Sequence, residues 1–115
     1  MTTKQHTTFG VFIPQGWKME LVSIPDPVNK WNKTVEIAQL AEKLGFDSVW
    51  VYDHFHNVPR PAHEAVFECW TTMAAISQRT TKIRLRSCSA WLRIGELGGY
   101  DYNANNLRDK FFGVW

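Results

Sequence analysis

The hydrophobic pattern of this chain switches back and forth between strand-like and helix-like spacing over residues 9–86, and that order leaves few folds open. Residues 9–13, Phe-Gly-Val-Phe-Ile, form an apolar run too short for a helix, stopped by Pro14, Gln15 and Gly16. From about Asn29, the residues Trp31, Val35, Ala38 and Ala41 recur at helical spacing, flanked by Ile37, Leu40 and Leu44. Lys33, Glu36, Gln39 and Lys43 fall mostly on the other side. Gly45 stands where a helix ends in a left-handed residue. Residues 46–52, Phe-Asp-Ser-Val-Trp-Val-Tyr, predict a second strand, and Pro59 and Pro61 punctuate the loop beyond it. A second helix is predicted from about His63 to Gln78, burying Val66, Cys69, Trp70, Met73, Ala74 and Ile76. Lys82-Ile83-Arg84-Leu85 alternates basic and apolar residues, as a strand with one dry face does. Such alternation of strands and helices defines an α/β fold, built of βαβ units on a parallel sheet. If the first helix packs by its apolar stripe, Leu40→Ala is predicted to cost ~2–5 kcal/mol.

Residues 87–115 show neither period, and residues 100–106 are rich in Asn and Asp. The chain divides accordingly into residues 1–86 and an unmatched tail, 87–115. Its net charge of +2 is no polybasic field, which excludes a nucleic-acid partner. No run of apolar residues is long enough for a membrane span, so no membrane partner is expected. The opening Met-Thr-Thr-Lys-Gln-His lacks an apolar signal core and reads as cytoplasmic. Cys69 and Cys88 are too few for a disulfide scaffold and lack Cys-x-x-Cys spacing. Six tryptophans and seven phenylalanines, spread along the chain, require an extended core or an interface.

The most informative cluster is Asp53-His54-Phe55-His56, just past the second strand. In parallel α/β folds, side chains from several strands converge at the carboxyl ends, and chemistry collects there. A histidine beside a carboxylate is a candidate proton carrier. The same residues also suit a plain loop in which His54 and Asp53 cap backbone groups. His54, His56 and His63 with Asp53 have the donor types of a zinc or iron site, which would make a metal-dependent hydrolase. No His-Glu-x-x-His is present and no later strand end offers a further ligand, so no metal is expected. Gly95, Gly98 and Gly99 form no phosphate-binding loop. Cys69, on an apolar stripe, reads as packing, as do Trp31 and Trp70.

Five stretches, in order, resemble the N-terminal part of a bacterial luciferase-like monooxygenase, most closely the branch that uses a reduced deazaflavin coenzyme. They are Phe9-Gly10-Val11-Phe12-Ile13-Pro14-Gln15-Gly16-Trp17, Ala41-Glu42-Lys43-Leu44-Gly45, residues 46–55 from Phe46 to Phe55, Phe67-Glu68-Cys69-Trp70-Thr71, and Thr80-Thr81-Lys82-Ile83-Arg84-Leu85. The resemblance covers about residues 9–86 and implies the βαβαβ opening of a (β/α)₈ TIM barrel. It implies an oxidoreductase or monooxygenase that binds FMN or the reduced deazaflavin at the carboxyl face and acts on a small-molecule substrate. It places His54 as the active-site base or ring-contacting group, with Asp53 orienting it, and Pro14 and Gln15 lining the same pocket. The flavin-type ring carries the hard chemistry, so no catalytic triad is needed.

The resemblance stops where Leu85 is followed by Arg86-Ser87-Cys88-Ser89-Ala90-Trp91. A barrel of this kind takes about 250 residues, so the chain is expected to be a truncated form, weakly active or inactive alone. Three strands cannot close a barrel, which leaves a face to cover. The tail, with Leu107, Phe111, Phe112 and Trp115, is one candidate cover. Self-association of a non-catalytic fragment is the other outcome.

Overall fold

Alternate residues of a strand point to opposite faces, so the strands with Val11, Val49, Val51 and Leu85 gain by lying side by side under the helices. The computed structural model describes residues 6–54, 56–59 and 63–88, and the backbone of 101–103. Its elements are β1 (Gly10–Phe12), α1 (Pro27–Lys43), β2 (Ser48–Tyr52), α2 (Cys69–Ser77), β3 (Arg84–Cys88) and β4 (Asp101–Asn103). The sheet order is β1-β2-β3-β4. The first three strands are parallel, with Phe12 beside Trp50 and Trp50 beside Arg86. β4 joins the edge antiparallel, Asn103 against Arg84. The expected α/β architecture is present as a partial fold, three parallel strands with two connecting helices.

Asp26 caps α1 by accepting from the Asn29 N–H at 2.9 Å, and Pro27 takes the first helical position, where no amide hydrogen is needed. Gly45, at φ +85°, closes it as the sequence predicts. Val35, Ala38 and Ala41 are buried against the sheet. Leu40 is not: it is 44% exposed, and Leu44 65%. Leu40 stands two residues, about 200° of helical turn, from Ala38, so it faces away from the sheet. The core role expected of Leu40 is therefore corrected.

The second helix begins at Cys69, not near His63. The Glu68 carboxylate accepts from the Trp70 and Thr71 N–H groups at 2.9 and 2.7 Å, which fixes the start. Before it, the Phe67 backbone bonds to Gln15 of the neighbouring loop and Glu64 pairs with Lys30 of α1. Cys69, Met73 and Ile76 are buried as predicted, while Val66, Trp70 and Ala74 are half-buried. Both helices share one core with Val49, Val51, Ile83 and Leu85.

The opposite sheet face carries Phe12, Trp50, Tyr52 and Arg86. The Trp50 indole lies across Gly10, where a Cβ would collide with its nitrogen, and donates to the Ser48 hydroxyl at 2.9 Å. Arg86 sits 5.3 Å from the Trp50 ring centroid. The covering role expected of Leu107, Phe111, Phe112 and Trp115 concerns residues outside those described, as does Phe55.

Candidate active site at the strand ends

The loops that follow β1 and β2 are bonded into one body. Gly16 turns the first loop at φ +91°, and a Cβ there would run into the Ala65 carbonyl, so only glycine fits. The Glu20 carboxylate gathers three backbone N–H groups of that loop, from Gln15 at 2.8 Å and from Gly16 and Lys18 at 2.9 Å. Asn57, buried in the second loop, donates from Nδ2 to the Gly16 carbonyl at 2.8 Å. The Val58 N–H donates to the Trp17 carbonyl, also at 2.8 Å. Further along, Glu64 pairs with the buried Lys30 of α1, and Phe67 meets Trp31 edge-on with centroids 5.3 Å apart.

Gln15 sits between these loops, 1% exposed. Its side-chain amide donates to the carbonyls of Tyr52 and Phe67 and accepts from the Tyr52 N–H. Pro14, half-buried, offers its carbonyl to the Thr34 hydroxyl at 2.7 Å. Asp53 is 6% exposed and adds its charge to the surroundings of Cys69. Burial is the main cause that pushes the Cys69 thiol up to about 11; a hydrogen bond with Ser87 opposes it, and Asp53 and Glu68 add to it.

His54 is half-buried and stacks on Trp17, centroids 4.1 Å apart and planes 5° from parallel. Trp17 leans on Tyr52 at 4.2 Å, and Tyr52 stacks on Phe12 at 4.3 Å, so an aromatic ladder runs from the sheet face to the imidazole. Burial chiefly, then the charges of Cys88 and Glu20, raises the Tyr52 phenol above its ordinary value. The structure thus brings His54 and Gln15 to the same strand end through Tyr52. It leaves His56 and His63 exposed, and among the described residues no three His, Cys, Asp or Glu side chains gather as a metal site would require. Among the described residues, Asp53, His54 and His56 are not gathered into one group of ligands.

Sequence reasoning gave no role to Trp17, Glu20 or Asn57. Trp17 carried a signal, since a large aromatic directly after a Pro-Gln-Gly turn has little local reason to be there. Asn57 acts on a carbonyl across the fold, and Glu20 on N–H groups of its own irregular loop, which has no period for a spacing rule to read.

A family model described as luciferase-like monooxygenase matches residues 7–92, and the chain belongs to that family. The match runs past residue 86 and takes in the whole of β3. No curated protein matches the chain. Among solved structures it is similar to an F420-dependent secondary alcohol dehydrogenase in complex with an F420-acetone adduct, at 29% identity and a TM-score of 0.54. That likeness covers 75% of this chain but 22% of the dehydrogenase, so the chain spans about a fifth of that relative's length. No helix among the described residues is long and apolar enough to cross a membrane.

Proposed function

We propose that this chain carries the first two strand-end loops of a flavin- or deazaflavin-dependent oxidoreductase site, with the deazaflavin favoured by the alcohol dehydrogenase relative. One observation carries the reading: His54 is held half-open at the carboxyl end of a parallel strand by a ladder of aromatic rings, in a chain of this family. Flat apolar faces beside one imidazole suit a planar heteroaromatic ring. A bound flavin or deazaflavin supplies hydride transfer to a small-molecule substrate. His54 holds or moves one proton at a ring nitrogen, and Asp53, next to it in sequence and buried, orients the loop that carries it. Gln15 and Pro14 set the rim of the pocket, because their hydrogen bonds fix where both loops leave the sheet. The proposed location is the cytoplasm.

With so small a share of the relative's length present, binding is expected no tighter than the high micromolar range. Titration of oxidised FMN and deazaflavin against the full chain, read by quenching of the ring's fluorescence, tests this. Saturable quenching that weakens in His54→Ala is the expected result. No quenching at millimolar protein, or equal quenching with and without His54, overturns the reading.

A second reading, association of a non-catalytic fragment, is favoured by Phe12, which is 45% exposed on the sheet face away from the helices. Sedimentation velocity at increasing concentration separates the two, since this reading requires mass-action growth without flavin binding.

A further inference from the structure

His54 follows β2 on a loop, where an imidazole with no ring neighbour would move among several rotamers. It is instead stacked face to face with Trp17, 4.1 Å away and within 5° of parallel. We propose that Trp17 is a positioning residue for His54: the indole fixes the plane of the imidazole, so that a ligand meets it at its edge or at the face away from Trp17. This rests on the reading of His54 as the proton-carrying or ring-contacting group.

Trp17 can act as a platform because its own place is fixed. Its carbonyl accepts from the Val58 N–H, and the Glu20 carboxylate holds the N–H groups of Gly16 before it and Lys18 after it. Tyr52 rests against the indole at 4.2 Å, and the Lys18 ammonium lies 5.0 Å from the ring. Apolar cover alone would need no particular ring plane, and an aliphatic side chain would provide it. A parallel stack needs a second flat ring, and that difference makes the role measurable.

The full chain with ring-labelled histidine gives the readout, the His54 signal being the one lost in His54→Gln. Beneath an indole, the His54 ring protons are expected upfield of those of exposed His56 and His63. Trp17→Leu should return them to the exposed position, and Trp17→Phe should keep most of the shift, with both variants unfolding cooperatively. Cross-relaxation between indole and imidazole protons in the unsubstituted chain reads the same contact without any change of sequence. A His54 signal at the exposed position, or one indifferent to Trp17→Leu, overturns the proposal.

A second arm titrates deazaflavin. Trp17→Leu should weaken binding about three- to tenfold, the range one aromatic pair carries, and Trp17→Phe less. The double variant with His54→Ala should bind no worse than His54→Ala alone, because Trp17 acts through His54. Additive losses overturn the positioning role. Silence of His54 toward both flavin types, with its Trp17-dependent shift intact, sinks the functional reading alone.

Discussion

Gln15 and Tyr52 exchange two hydrogen bonds: the Gln15 Nε2 donates to the Tyr52 carbonyl at 2.8 Å, and its Oε1 accepts from the Tyr52 N–H at 2.7 Å. The side-chain amide thus continues the sheet past the end of β1, pairing the last residue of β2 after the β1 backbone has turned away. Its second Nε2 hydrogen goes to the Phe67 carbonyl, also at 2.8 Å, which ties in the approach to α2. Gln15→Leu leaves these three backbone groups without partners in a buried place, so a loss of about 2–4 kcal/mol in urea unfolding is expected. Gln15→Glu should be no better at neutral pH, since a carboxylate would face two carbonyl oxygens. Faster amide exchange at Tyr52 in both variants is the local signature. A change below about half a kcal/mol would show that water replaces the amide freely.

Truncations along the helices should separate sharply by face. Ile76 is 1% exposed beneath the sheet, and Ile76→Ala should cost ~2–5 kcal/mol. Leu40→Ala, on the outer side of α1, should stay within about 1 kcal/mol. Equal costs in chemical denaturation would mean that α1 presents a different face in solution.

Leu40 also shows where the sequence could be read and where it could not. The strand and helix order was legible because hydrophobic period is a local property, and Val35, Ala38, Ala41, Val49 and Leu85 are buried as it requires. The width of the helical stripe was not, because it depends on what the helix packs against. The start of α2 was obscured for a related reason: Val66 and Phe67 continue an apolar pattern, yet the Phe67 backbone bonds to Gln15. β4 is three residues long, too short to carry any period. At the site, His54 was legible from its position after a strand, whereas its stacking partner Trp17 lies 37 residues earlier and is chosen by the fold.

Glu42 links α1 to the loop before β3. Burial alone would raise its carboxyl, but hydrogen bonds from the Ile83, Lys82 and Thr81 N–H groups and the Thr81 hydroxyl outweigh it and hold the group below its ordinary value. A group whose folded value is depressed stabilises the fold above the unfolded value. That contribution fades as pH falls from about 4.5 through the lower folded value. Glu68 is depressed in the same way: burial raises it, and hydrogen bonds from Thr71 and Trp70 prevail. Acid unfolding should therefore be shallower in Glu42→Gln than in the parent, and the variant should be less stable near neutrality by about 0.5–1.5 kcal/mol. Parallel stability curves for parent and variant below pH 5 would refute this.

The two cysteines should differ widely in reactivity. Cys69 is buried, hydrogen-bonded to Ser87 at 3.1 Å, and raised to about 11, so almost none of it is thiolate at pH 8. Cys88, at the end of β3, is half-buried. Alkylation of the native chain at pH 8 should label Cys88 first, and Cys69 only after unfolding. Simultaneous labelling of both would mean that the core opens readily.

The sharpest expectation contrasts His54 with His56. A positioned acid or base contributes ~10²–10⁴-fold in rate, so His54→Ala should lower turnover by that order wherever hydride transfer by the chain is measurable. Its cost in stability should be small, about 0.5–1.5 kcal/mol for the lost stack on Trp17, because His54 lies past the sheet and leaves no cavity in the core. Asp53→Asn should lower turnover less, since it would misorient the loop without removing the ring. His56 is exposed and has no part in the aromatic ladder, so His56→Ala should leave both rate and unfolding midpoint nearly unchanged. Equal rate losses at His54 and His56 would contradict the site drawn here, and a shared dependence on added zinc would return the metal-dependent reading.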